Sequence, residues 1–139
     1  RDSSGLQRPK QLYSDAEMQR RMDNFLMLRY SNEQEIQDAM NVEIKQLAYD
    51  RRLLETTRDS MEESYRGQIR QAANKQRAGQ QVPDKTNLAL NDLQMKIAEN
   101  GQSLASLELR EQEIRGEFKK QLDRYRYLEE QWAEESPDS

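Results

Sequence analysis

From Leu90 to Trp132 the chain places apolar side chains alternately three and four residues apart. Leu90, Ile97, Leu104, Glu111, Phe118, Tyr125 and Trp132 form one series at steps of seven. Leu93, Asn100, Leu107, Ile114, Gln121 and Leu128 form its companion. Ten of these thirteen positions are apolar, and that spacing is the a and d seam of a coiled coil. A second, less regular stripe runs upstream through Ile36, Met40, Ile44, Leu47, Leu54, Met61, Tyr65 and Ala72. Between the stripes lies Gly79-Gln80-Gln81-Val82-Pro83-Asp84. Gly79 suits the left-handed residue that ends a helix, and Pro83 cannot continue one. Two long helices joined by a short turn lie antiparallel.

The pattern predicts an all-α fold: a long antiparallel helical hairpin of coiled-coil type, with a shorter N-terminal helix at its base or on a second chain. Residues 1–13 read as a linker and 136–139 as a tail. Residues 14–135 read as one helical domain, with helices over about 15–29, 33–78 and 85–134 and a turn at 79–84. Ser14-Asp15-Ala16-Glu17 fits a capping box. Ser31-Asn32-Glu33-Gln34 offers a second start, which implies a break near Tyr30 to Asn32. The alternative is one continuous helix with Ser31 inside it. Asp84 or Thr86 is the expected cap of the last helix.

Folding about Val82-Pro83 pairs residues whose numbers add to roughly 165. Glu111 then falls beside Leu54, within reach of Arg51 or Arg58. An ion pair in the seam penalises a wrong register more than it adds stability.

Phe25-Leu26-Met27-Leu28 is the densest apolar run. As a strand it would need a partner, and no other run is rich in β-formers. A helix over 15–29 puts Met18, Met22, Phe25 and Leu28 near one side, with Leu26 and Tyr30 beside them. That face is expected to pack near Tyr125, Leu128 and Trp132 or on a second chain. Phe25, Leu26, Leu28, Tyr30, Tyr125 and Trp132 are the candidate contacts for self-association. The aromatics Phe118, Tyr125, Tyr127 and Trp132 admit two readings: they knit three helices together, or they form an interaction patch.

Composition narrows the function. The 139 residues are 35% charged and only 6% aromatic, so a rounded core is out of reach. Mean hydropathy is −1.22. With only five Gly and three Pro, long helices are favoured over disorder. There is no His and no Cys, which removes the usual imidazole base, the thiolate nucleophile and most zinc or copper sites. Glu62-Glu63, Glu129-Glu130 and Glu134-Glu135 are adjacent on helices and point apart. No Walker loop, dinucleotide fingerprint or calcium loop is present. The expectation is a non-enzyme without metal or cofactor.

No run approaches the length of a membrane span. A net charge of −4 disfavours nucleic acid as a partner. Arg66, Arg70, Lys75, Arg77 and Lys85 gather near the turn, while Glu129, Glu130, Glu134, Glu135 and Asp138 gather at the other end. The basic tip supports an alternative reading, a membrane-surface or holdase-type binding protein. Because the chain opens on Arg1, it reads as part of a longer polypeptide.

The segments LMLRYSNEQEI, AGQQVPDK and FKKQLDRYRYLEEQW together resemble the helical region of a proteobacterial protein family of unknown function. The resemblance covers about residues 18–132. Members of that family carry a signal peptide and a small β domain ahead of the helical part. The resemblance implies a location in the periplasm or cell envelope and assigns no functional residues.

Overall fold

A computed structural model describes residues 14–135; the expected linker, the tail and Asp138 lie outside them. The described residues form three helices and no strand: α1 (Asp15–Arg29), α2 (Glu33–Arg77) and α3 (Asp84–Glu135). The fold is all-α.

Each helix end has a local chemical cause. Ser14 is extended and its hydroxyl accepts from the Glu17 amide at 3.2 Å, satisfying one free N–H of the first turn. Tyr30, at φ −123° and ψ 137°, leaves the helix. The second start falls one residue later than Ser31. Asn32 Oδ1 accepts from the Glu35 amide at 3.0 Å, and the Glu35 carboxylate accepts from the Ser31 amide at 2.6 Å. Asn caps as well as Ser, and with Asn32 at the cap a carboxylate stands at the third helical position, where it can reach back. Gln34 instead donates to Asp38.

Gly79 has φ +78°, the left-handed conformation that costs an L side chain energy. Around it the Gln80 amide donates to the Lys75 carbonyl at 2.8 Å and the Gly79 amide to Gln76 at 3.0 Å. This double bond pattern is a Schellman motif, which uses up two orphan carbonyls of α2. At the start of α3 the Pro83 carbonyl accepts from the Thr86 and Asn87 amides. Asp84, expected as the cap, stands inside the first turn, where its charge complements the helix dipole.

The contacts divide the chain into two units. The first holds α1, the start of α2 up to Ala39, and α3 from Glu117. Its core is Leu26, Tyr30, Ile36, Phe118 and Tyr125, with Leu26 0% exposed. The Tyr125 hydroxyl donates to the Tyr30 carbonyl at 3.4 Å, so the break between α1 and α2 is tied to α3. The face of α1 that packs is not the expected one. Leu26 and Tyr30, one helical turn apart, point inward, and Met18, Met22, Phe25 and Leu28 remain exposed. Asp23 sides with the buried row: its carboxylate takes two bonds from Arg124, at 2.7 and 2.8 Å. A bidentate pair of this kind fixes which stripe of a short helix faces its neighbour.

The second unit runs from Met40 to Gly116. Ile44, Leu47, Leu54, Met61, Tyr65 and Ala72 on α2 are half-buried, as are Leu90, Leu93, Ile97, Leu104 and Leu107 on α3; Ile114 is buried. Arg51 bonds Glu111 at 2.6 Å, the Asn100 amide donates to the Leu54 carbonyl at 3.0 Å, and the Gln94 amide donates to the Tyr65 hydroxyl at 2.8 Å. Numbers rise on α2 as they fall on α3, so the two segments run in opposite directions. The register differs from expectation. A sum of 165 puts Tyr65 beside Asn100 and Leu54 beside Glu111; they meet Gln94 and Asn100 instead. The Arg51–Glu111 contact lies within three of the expected sum, and the other two fall six and eleven short of it. The connection, running from Arg77 to Asp84, is centred two residues before Val82-Pro83, which lowers the expected sum by about four.

Candidate interaction surfaces

The six residues expected to make intermolecular contacts separate by burial. Leu26, Tyr30 and Tyr125 are interior to the first unit and hold its helices together, so they are not surface contacts. Phe25, Leu28 and Trp132 are exposed, Leu28 by 88%. The knitting role of the aromatics therefore falls to Phe118 and Tyr125, while Tyr127 and Trp132 face solvent. Arg124 lies 4.7 Å from the Tyr127 ring centroid, a cation–π contact that continues the Asp23 pair outward.

An open groove of about 550 Å³ follows α1 and α3 in the first unit. Met22 supplies apolar surface, and Lys120, Gln121, Arg124 and Tyr127 line the α3 side. Hydrogen bonding to Arg124 holds the Asp23 carboxyl below its ordinary range. Burial, followed by the charges of Glu129, Glu35 and Glu33, pushes the Tyr125 phenol up. Burial and the neighbouring Glu33 also raise Glu129. Arg126 answers this acidic side by donating to Glu33 at 2.8 Å.

In the second unit the seam contains its own polar layer. Glu111 accepts from Arg115 at 3.0 Å and from Arg51 at 2.6 Å, and these bonds hold its carboxyl below the ordinary range. Arg58, the other arginine expected to reach Glu111, meets Asp59 and Glu62 on its own helix at 3.8 and 4.0 Å. Asn100 is only 7% exposed, and its Oδ1 is buried with no hydrogen-bond partner among the described residues. An unpaired buried acceptor costs about 1–3 kcal/mol, and a lone Asn in such a seam trades stability for register. Asn100→Leu is accordingly expected to raise the melting temperature by about 3–6 °C in calorimetry.

The basic residues near the turn are partly neutralised. Arg66 pairs with Glu63 at 3.2 Å and Arg70 with the same carboxylate at 4.0 Å. Arg77 donates to Asn74. Lys75 and Lys85 have no acidic partner among the described residues.

Two features were missed from the sequence. The Asp23–Arg124 pair joins residues about a hundred positions apart, and no local spacing announces it. The second is an open groove of about 470 Å³ lined by Asp50, Leu53, Leu54, Ser103, Ser106 and Leu107. Its signal was present: Leu53, Thr57, Ser60 and Ser64 form an uncharged row at helical spacing in a chain that is 35% charged.

Among the described residues no acidic side chains gather in a metal-holding group, and no helix is long and apolar enough to cross a membrane. The two grooves described lie open between helices. Comparison with protein-family models, curated proteins and solved structures finds no match to this chain.

Proposed function

We propose that the chain is a non-enzymatic protein-interaction module of the cell envelope, built as an antiparallel helical hairpin of coiled-coil type and acting as a homodimer. The observation that carries this reading is the exposed apolar surface. Phe25, Leu28, Tyr49, Leu53, Met95, Leu109 and Trp132 all face solvent in a chain with few large apolar residues to spare. Exposed aromatic and aliphatic side chains of this type are the material of protein interfaces. The absence of His and Cys from the sequence supports a role without catalysis. The envelope location rests on the resemblance of the sequence to the proteobacterial family.

The alternative, an anionic surface bound through the basic tip, has less behind it, because Glu63 already engages Arg66 and Arg70. Light scattering tests the leading reading. The expected mass at micromolar concentration is twice the chain mass of 16.5 kDa. A mass of one chain at every concentration contradicts it.

A further inference from the structure

The two flanks of the α2–α3 seam in the second unit differ in kind. On one flank α2 carries Arg52, Glu55, Asp59 and Glu62. On the other, stepping from Asp50 by three and four residues, it carries Leu53, Thr57, Ser60 and Ser64, without a charge. Ser103 and Ser106 of α3 complete the wall of the groove there, and Leu54 and Leu107 supply apolar surface within it. Small hydroxyl side chains leave room for a second helix to approach closely. Leu53, 52% exposed, stands beside that room as a projecting apolar side chain.

We infer that this groove seats a second copy of the chain, with a two-fold axis parallel to the helices that lays α2 of one copy along α3 of the other. The inference rests on the self-association reading above and adds its location. Charge selects the occupant. Asp50 accepts only from the Gln46 amide, at 3.1 Å, and has no cationic partner among the described residues. Arg110 meets Glu113 at 3.8 Å and remains largely in solvent. Arg51 bonds Glu111 within the chain, so residues 50 and 110 stand within about one helical turn of each other along the seam. An axis parallel to the helices preserves that spacing, which the long Arg110 side chain spans. Asp50 of each copy then meets Arg110 of the other, and Leu53 enters the opposite groove beside Ser106. All neighbouring helices run antiparallel, as in an up-down four-helix bundle. The contact forms twice in each dimer and is self-complementary, as a closed two-fold interface requires.

Reversing the charges tests the arrangement. Asp50→Arg and Arg110→Asp, each in the full chain, are examined by sedimentation with circular dichroism as the control for folding. Each variant alone places like charges together twice, and its dimer dissociation constant is expected to rise at least about tenfold. An equimolar mixture of the two regains the dimer, because both ion pairs re-form between unlike chains. Leu53→Ser reads the same contact without charge and is also expected to weaken the dimer. Dimers unaffected in all three variants, or folded variants that stay monomeric when mixed, overturn the inference and leave self-association standing. A wild-type chain that is monomeric throughout overturns both.

Discussion

Replacing Leu26 by Ala is expected to remove about 2–5 kcal/mol of stability, while the same change at Leu28 shifts it by less than about 0.5 kcal/mol. The two residues are neighbours in one helix and have the same side chain, so propensity cancels between them. What differs is surroundings. Leu26 is fully enclosed in the first unit, and Leu28 is 88% exposed. Truncating Leu26 loses the transfer free energy of three carbons and leaves a cavity that a small helical unit closes poorly. Urea titration followed by circular dichroism measures both changes. Equal losses at the two sites would mean that α1 packs by the Phe25–Leu28 face that the sequence suggested.

Asp23→Asn is expected to destabilise by about 1–2 kcal/mol at neutral pH, and the difference from wild type shrinks in acid. Asp23 accepts both bonds that Arg124 offers to it, and both side chains are mostly covered. The hydrogen bond from Arg124 lowers the carboxyl pKa in the folded protein. A depressed folded pKa means that the unfolded chain binds the proton more readily, so acid favours unfolding. The contribution is complete above the ordinary aspartate range, near pH 4, and fades as pH falls through the lower, folded value. Thermal melts of wild type and Asp23→Asn between pH 7 and pH 2 should therefore converge. Curves that stay parallel would show that the carboxylate gains nothing from Arg124.

Helix ends and the α3 seam were legible in the sequence because each depends on residues close together. Gly79 announces its left-handed conformation by lacking a side chain, and Ser14 with Glu17 specifies a cap within four residues. The a and d positions of α3 from Leu90 to Leu128 are half-buried or buried in the structure, and only Trp132, near the helix end, is exposed. Glu111 was expected to find an arginine, and it finds Arg51.

What the sequence left open is what local spacing cannot carry. A shift of a few residues keeps apolar positions of the two helices close together, so the pattern does not choose between pairing Tyr65 with Asn100 and pairing it with Gln94. The length and centre of the turn decide. The face of α1 was misjudged for a related reason. Met18, Met22, Phe25 and Leu28 make an apolar row as good as Leu26 and Tyr30, and the choice is made by Asp23 finding Arg124. The Leu53 groove went unread because serine and threonine on a helix surface look like ordinary solvated positions until α3 is set beside them.

The antiparallel pairing of α2 with α3 in its observed register underlies the seam, the groove and the proposed contact alike. With no native cysteine in the sequence, spin labels at Tyr65→Cys and Gln94→Cys, diluted with unlabelled chain, report it directly. Helices packed 8–10 Å apart predict a label separation on the order of 10–20 Å. A separation of several nanometres, or a shorter distance from position 65 to position 100 than to position 94, would contradict it.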